Sequence, residues 1–405
     1  MPELHVLLVA DGRSPITLRW IESVRALNHR VTLVSTYPCP QPKGVESLYI
    51  LPVAFAAAGG SQAGGAGGRS GKTGLRKAVG RFRGLLQPVR DLLGPLTLPF
   101  YARKLEKILT HEKPDLVHAL RIPYEGMLAA SARSKIPLAV SIWGNDLTLH
   151  GSRSVLLRSL IVRTLRRADG LAADVQRDIR MGRLWGFSAE KPALVVPGNG
   201  GIDLGEVQGS TLHITDTLAR QLPAGVPLVV NPRGLRPGYV RTDVFFQAIP
   251  LVLQHRPDVI FVCTSMAGQP EAQDWVQRLK IGPAVRLLPY LPQAQLWNLF
   301  QNAEITVSIS THDGTPNTLL EAMACGCFPI VGDLESLREW ITPGVNGLLV
   351  DPTQPHMVAE GILLALERPQ LRAAAAQINL ELVRQRAEVG TVRARIDAFY
   401  QSLLP

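Results

Sequence analysis

With 405 residues, 46 % of them apolar and 19 % charged, the chain is too long for a single domain to be the natural expectation and too apolar to be a disordered polymer. It has no run of 18 apolar residues to predict a membrane-spanning helix, and its four cysteines (Cys39, Cys263, Cys325, Cys327) are too few and too scattered for a disulfide framework. The net charge of +10 is uneven: residues 1–205 hold 28 Lys/Arg against 15 Asp/Glu, and residues 206–405 hold 15 against 18, so the first half is expected to face something anionic, be it nucleic acid, a phospholipid surface or a phosphate-bearing substrate.

The opening "MPELHVLLVADG" reads as a first β-strand, because its apolar stretch is too short and lacks the basic lead of a signal peptide. Helical "TLRWIESVRALN" (17–28) and the strand "RVTLVS" (30–35) follow. The series continues through "KPDLVHAL" (113–120), "PLAVSIW" (137–143), "DGLAAD" (169–174) and "ALVVPG" (193–198). After the turn-rich stretch 201–216 it restarts with "VPLVVNPRG" (226–234) and runs to "GLLV" (347–350). Such alternation predicts parallel sheets covered by helices, in two doubly wound units facing across a cleft. The predicted domains are 1–205 and 206–385. The tail is helical to Leu404, in one long or two broken helices, and 386–405 is expected to pack back on the first domain.

Two segments stand apart. Residues 57–74 are Gly/Ala-rich and read as flexible. They contain "AGGRSGKT" (66–73), close to a phosphate-binding P-loop but with Ala66 for the first glycine and no strand before it, which favours the loop reading. "LRKAVGRFRGLLQPVRDLL" (75–93) spaces basic and apolar residues helically, so an anionic membrane surface is an expected partner of 69–93, and a solvated face on a packed helix is the alternative.

The chemistry concentrates in "THDGTPNTLLEAMACG" (311–326). A strand ends near Ser310, a Gly/Pro/Asn turn follows, and a helix runs to Gly326. Pro316 suits the first turn and Asn317 the cap. The amides of Asn317, Thr318 and Leu319 would then form an anion site suited to a diphosphate. Glu321, one turn inside, could accept paired hydroxyl hydrogen bonds as from a ribose, and Asp313 could do the same for a sugar. From the residues alone, a capped helix with a solvent-facing Glu321 is an equally open reading.

These residues resemble the retaining glycosyltransferases of family 4, whose fold is GT-B, α/β with two Rossmann-like domains. The family signature is Glu, seven residues, Glu, then Ala-Met-Ala-x-Gly. Here the carboxylates are Asp313 and Glu321, followed by "AMACG". The first carboxylate departs from the pattern by one methylene. "NPRGL" matches the family's strand and Gly-Arg, which implies that Arg233 meets the donor phosphates. Arg241 stands for the family's second cation, normally a lysine. "VVPGNGGID" (195–203) resembles the interdomain stretch, and "ADGRS" (10–14) replaces the usual Gly-Gly loop.

The resemblance implies a metal-independent transfer from a nucleotide sugar, with retention and no obligatory protein base. A nucleotide sugar is the substrate, so no cofactor is expected and no metal. Arg233, Arg241, Asp313 and Glu321 are the expected catalytic residues. Gly314, Thr315, Pro316, Asn317, Thr318 and Leu319 would bind the donor, and Gly12, His118, Trp143 and Asn199 would line the acceptor side. The expected acceptor is a glycan or lipid-linked sugar in cell-surface polysaccharide or glycolipid synthesis, at the cytoplasmic side of a membrane. Two other readings stay open: an inactive partner subunit that only binds a nucleotide sugar, which Asp313 would favour, and an epimerase or phosphorylase on the same fold. Only charge speaks for nucleic acid.

Overall fold

Among the described residues, thirteen parallel strands form two sheets. The computed structural model describes residues 3–55, 94–144, 146–150, 154–209, 222–223, 225–236 and 238–405. The P-loop-like stretch 66–73 and the basic segment 75–93 lie outside the described residues. Contacts divide the chain into two units, one built from residues up to Gly200 with Val392–Pro405, the other from Gly201–Thr391. No helix among the described residues is long and apolar enough to cross a membrane.

In the first unit, β1 (His5–Ala10), β2 (Arg30–Ser35), β3 (Ser47–Ile50), β4 (Leu116–Ala119), β5 (Leu138–Ile142), β6 (Gly170–Ala173) and β7 (Ala193–Val195) lie in the order β3-β2-β1-β4-β5-β6-β7. In the second, β8 (Leu228–Asn231), β9 (Ile260–Cys263), β10 (Val285–Leu287), β11 (Ile305–Ser308), β12 (Phe328–Gly332) and β13 (Leu348–Val350) lie in the order β10-β9-β8-β11-β12-β13. Every residue of β1, β8, β9 and β11 is buried. Both faces of these strands are covered, which is why the sequence shows short continuous apolar runs rather than alternation. The strand order reverses between β1 and β4 and again between β8 and β11. Sheets of this kind take ligands beyond the carboxyl ends of the strands at such a reversal.

The returning helix Val389–Gln401 completes the first unit. Val392, Ile396, Phe399 and Tyr400 join a core with Trp20, Leu8 and Leu116. Residues 201–205, grouped by the sequence with the first domain, fall instead in the second. The Ile202 amide donates to the Ala387 carbonyl at 2.7 Å, Val389 N–H returns to Ile202 O at 3.0 Å, and Leu204 is buried with Trp297 and Leu320. The same pairing keeps 386–391 there too.

Candidate donor site at the carboxyl ends of strands β8 and β11

Arg233 leaves the end of β8, and its N–H donates to Asn231 Oδ1 at 3.1 Å. Arg233 is 8 % exposed. It meets Asp313 Oδ2 at 2.8 Å and donates to Ser308 Oγ at 3.4 Å. Ser310 Oγ donates to the same Asp313 oxygen at 3.1 Å. The two residues are 80 apart in sequence, but β8 and β11 are hydrogen-bonded neighbours, with Thr306 beside Val230. A carboxylate after one strand therefore reaches a guanidinium after the other. The geometry brings Arg233 and Asp313 onto each other, where the sequence reading gave them separate ligand groups. A guanidinium has five donors, so one carboxylate does not exhaust it.

The helix Asn317–Ala324 starts on Pro316, which has extended φ/ψ of −63° and 127° and occupies the cap position. Pro316 is thus the cap and Asn317 the first helical residue, one residue earlier than the Asn317 cap the sequence suggested. Proline's fixed φ suits an extended cap as well as a first turn. Its carbonyl accepts from Leu319 N–H at 3.0 Å and Leu320 N–H at 3.4 Å, which ties down one of the three amides expected to face a ligand. Among the described residues, the Asn317 and Thr318 amides meet no acceptor, and the buried Thr318 Oγ1 has no partner. Two open amides and an orphaned hydroxyl at a helix start would suit an anionic oxygen.

Glu321 is 6 % exposed, so the solvent-facing reading does not hold. Its Oε1 accepts from Gln293 Nε2 at 3.0 Å. Gln293 opens the helix Gln293–Gln301, and the sequence reading missed it. The only signal was a polar residue directly after Pro292. Gly314, Thr315 and Pro316 are buried beside these groups. Gly332 at the end of β12 has no room for a side chain, since a Cβ there would lie 2.7 Å from Ser310 O.

Arg241 reaches the same edge through its backbone, its N–H donating to Ile309 O at 3.0 Å. Its guanidinium instead grips Asp243 through both oxygens, at 2.9 and 2.7 Å. That bond raises the Arg241 pKa and holds the Asp243 carboxyl below its ordinary range. The pair lines a pocket of about 450 Å³ together with Arg236, Thr242, Glu271 and Thr311.

In the first unit the candidates divide. Gly12 follows β1, donates to Ser35 Oγ at 3.0 Å, and must be glycine because a Cβ would sit 2.5 Å from Cys39 Sγ. Trp143 donates its amide to Asp146 Oδ2 at 3.1 Å, and Asn199 is nearly buried. His118 is fully buried, bonded to Tyr400 and Ser141, and burial holds its pKa down to about 3. It is a core histidine, not a contact for an acceptor. A cluster the sequence did not reveal lies after β2, β4 and β5. Arg121 Nε meets Asp146 Oδ1 at 2.9 Å, and Thr36 Oγ1 donates to Glu125 Oε1 at 2.7 Å. Burial pushes the Glu125 carboxyl up to about 7, against the opposing pull of Arg121.

Two family models divide the chain at the junction just described. "Glycosyl transferase 4-like domain" matches residues 11–199, and "Glycosyl transferases group 1" matches 234–380, which contains the donor-side cluster from Gln293 to Glu321 and begins directly after Arg233. The chain belongs to the family 4-like glycosyltransferases. Among curated relatives of this glycosyltransferase, a D-inositol 3-phosphate glycosyltransferase of Thermobispora bispora is 28 % identical over 40 % of this chain and 40 % of its own length. Its counterpart in Corynebacterium urealyticum is 26 % identical over 54 % and 50 %. The chain thus matches half or less of the length of these relatives. Of solved structures, Anabaena Alr3699/HepE in complex with UDP has a TM-score of 0.73 at 18 % identity, covering 99 % of this chain and 100 % of that one. Sucrose-phosphate synthase of Thermosynechococcus elongatus has a TM-score of 0.73 at 15 % identity, covering 98 % and 99 %. At these identities the likeness is one of fold, the two-domain GT-B architecture.

Proposed function

We propose that this glycosyltransferase moves a sugar from a nucleotide-sugar donor to an acceptor hydroxyl with retention at the anomeric carbon. The observation that carries the reading is the cluster at the β8–β11 reversal: the Arg233–Asp313 pair, the open amides of Asn317 and Thr318, and the unpartnered Thr318 hydroxyl. In the reaction the bond from the anomeric carbon to the phosphate oxygen breaks and the bond to the acceptor oxygen forms on the same face. The acceptor proton passes to the departing phosphate oxygen, so no protein base is required. Charge accumulates on the leaving diphosphate, where the helix-start amides and Arg233 stabilise it without reorganising. Glu321, oriented by Gln293, holds the ribose hydroxyls, and Asp313 holds hydroxyls of the sugar. A donor carrying UDP is favoured, since the Anabaena neighbour was solved with UDP and with UDP-glucose.

For the acceptor we propose a glycan or lipid-linked sugar, on the strength of the basic first half. A second reading, a small phosphorylated polyol or sugar, is favoured by relatives and neighbours named for inositol 3-phosphate, sucrose phosphate and trehalose phosphate. Turnover with a panel of UDP-, GDP- and ADP-sugars against both acceptor classes decides. Retained anomeric configuration in the product and a loss of roughly 10²–10³-fold in kcat for Arg233→Ala are expected. Nucleotide binding with no product from any pairing would instead mark a binding subunit.

A further inference from the structure

The segment Asp313–Pro316 carries Asp313 and leads into the helix start, and it belongs to neither β11 nor the helix that follows. Its shape must therefore be held from outside. Two side chains from the stretch after β12 do this. Ser336 Oγ donates to the Asp313 carbonyl at 2.8 Å, and Trp340 Nε1 donates to Thr315 Oγ1 at 2.9 Å. Both donors are buried, Trp340 at 4 % exposure and Ser336 completely. An indole N–H can only donate, so this bond sets the rotation of the Thr315 hydroxyl, whose own hydrogen must turn away from the ring. Trp340 is itself braced, with the Arg386 guanidinium 4.0 Å over its ring and Arg386 Nη1 donating to Glu339 O at 2.6 Å.

We propose that Trp340 is a positioning residue for the transfer, acting through Thr315 to hold the segment that delivers Asp313 to Arg233. This rests on the reading of function above. The indole takes no part in binding the donor; it keeps a segment without helix or strand structure in one conformation. Phosphate grip through Arg233 and the helix start should then outlast its loss better than turnover does.

The test is a cycle of Trp340→Phe, Thr315→Val and the double variant. Phenylalanine keeps an aromatic face for Arg386 and removes the N–H, and valine is isosteric with threonine and removes the acceptor. Each single change is expected to lower kcat about tenfold, with UDP affinity close to wild type in Trp340→Phe, and the double variant should be no worse than the weaker single one. In Trp340→Phe the amides of Leu319 and Leu320, which are bonded to the Pro316 carbonyl, should exchange hydrogen about tenfold faster, with those of β8 unchanged. Additive losses, or unchanged kcat and exchange in Trp340→Phe, would overturn the assignment. If the wild type makes no product with any donor, the functional reading falls, and exchange at Leu319 and Leu320 still decides whether Trp340 holds the segment.

Discussion

His118 has both ring nitrogens occupied. Trp20 Nε1 donates to the Tyr400 hydroxyl at 2.9 Å, the hydroxyl donates on to His118 Nδ1 at 2.8 Å, and His118 Nε2–H reaches Ser141 Oγ at 2.9 Å. That chain works only with neutral imidazole, in keeping with a pKa near 3 imposed by burial. The unfolded chain takes a proton below its ordinary value of 6.5, so stability is lost as pH falls from 6.5 towards 3, by up to roughly 5 kcal/mol. Glu125 runs the other way. Its buried carboxyl keeps a proton up to about pH 7 while the unfolded one loses it near 4.5, so stability falls as pH rises through 4.5 to 7, by up to roughly 3 kcal/mol. Between 4.5 and 6.5 the two slopes oppose each other. Glu125→Gln should therefore show stability rising with pH across that window where the wild type is nearly flat. Urea midpoints of the first unit at pH 4.5, 5.5, 6.5 and 7.5 measure it. The sequence displayed His118 at a strand end but could not say which way it faced. In a strand buried on both sides, residue type alone does not separate a ligand contact from a core partner.

At the scale of elements, the helix Asn317–Ala324 shows what a local pattern can carry. The strand, turn and helix around Asp313 were legible because glycine, proline and an apolar period punctuate them. The Arg233–Asp313 pair was not, because it depends on β8 lying beside β11, and sheet order is a long-range property. Strand β3 (Ser47–Ile50) escaped for another reason: it has four residues, none fully buried, after a proline-rich stretch. The helix start also makes a prediction about cost. A buried hydroxyl without a partner destabilises the empty protein, so Thr318→Val should leave stability unchanged or raise it by roughly 1–2 kcal/mol. If that hydroxyl serves a phosphate oxygen, UDP affinity should fall about tenfold in the same variant. Calorimetric melting and UDP titration read the two effects separately. Lower stability with unchanged UDP affinity would assign Thr318 to the fold alone.

For the molecule as a whole, the first unit is closed by the last stretch of the chain. The helix Val389–Gln401 returns after Gly201–Thr391 have built the second unit, and its side chains fill polar as well as apolar gaps. His29 Nδ1 accepts from Leu4 N–H at 3.3 Å and its Nε2 donates to Asp397 Oδ1 at 3.1 Å, while Tyr400 links Trp20 to His118. The sequence showed a helical tail and suggested where it packs, but the partners of Asp397 and Tyr400 lie more than 280 residues away and carry no local sign. Tyr400→Phe isolates this closure with the loss of one oxygen. The ring still packs with Phe399 and Trp20, but the indole N–H and His118 Nδ1 are left buried without the hydroxyl. Each orphaned group costs its desolvation, so the first unit should lose roughly 2–4 kcal/mol. The second unit has its own cores and its own donor-side cluster, so UDP affinity should be unchanged. Equilibrium unfolding followed by two probes, one in each unit, should show only the first transition moving to lower urea. A matching shift in both would mean that the two units unfold as one, with the C-terminal helix coupling them.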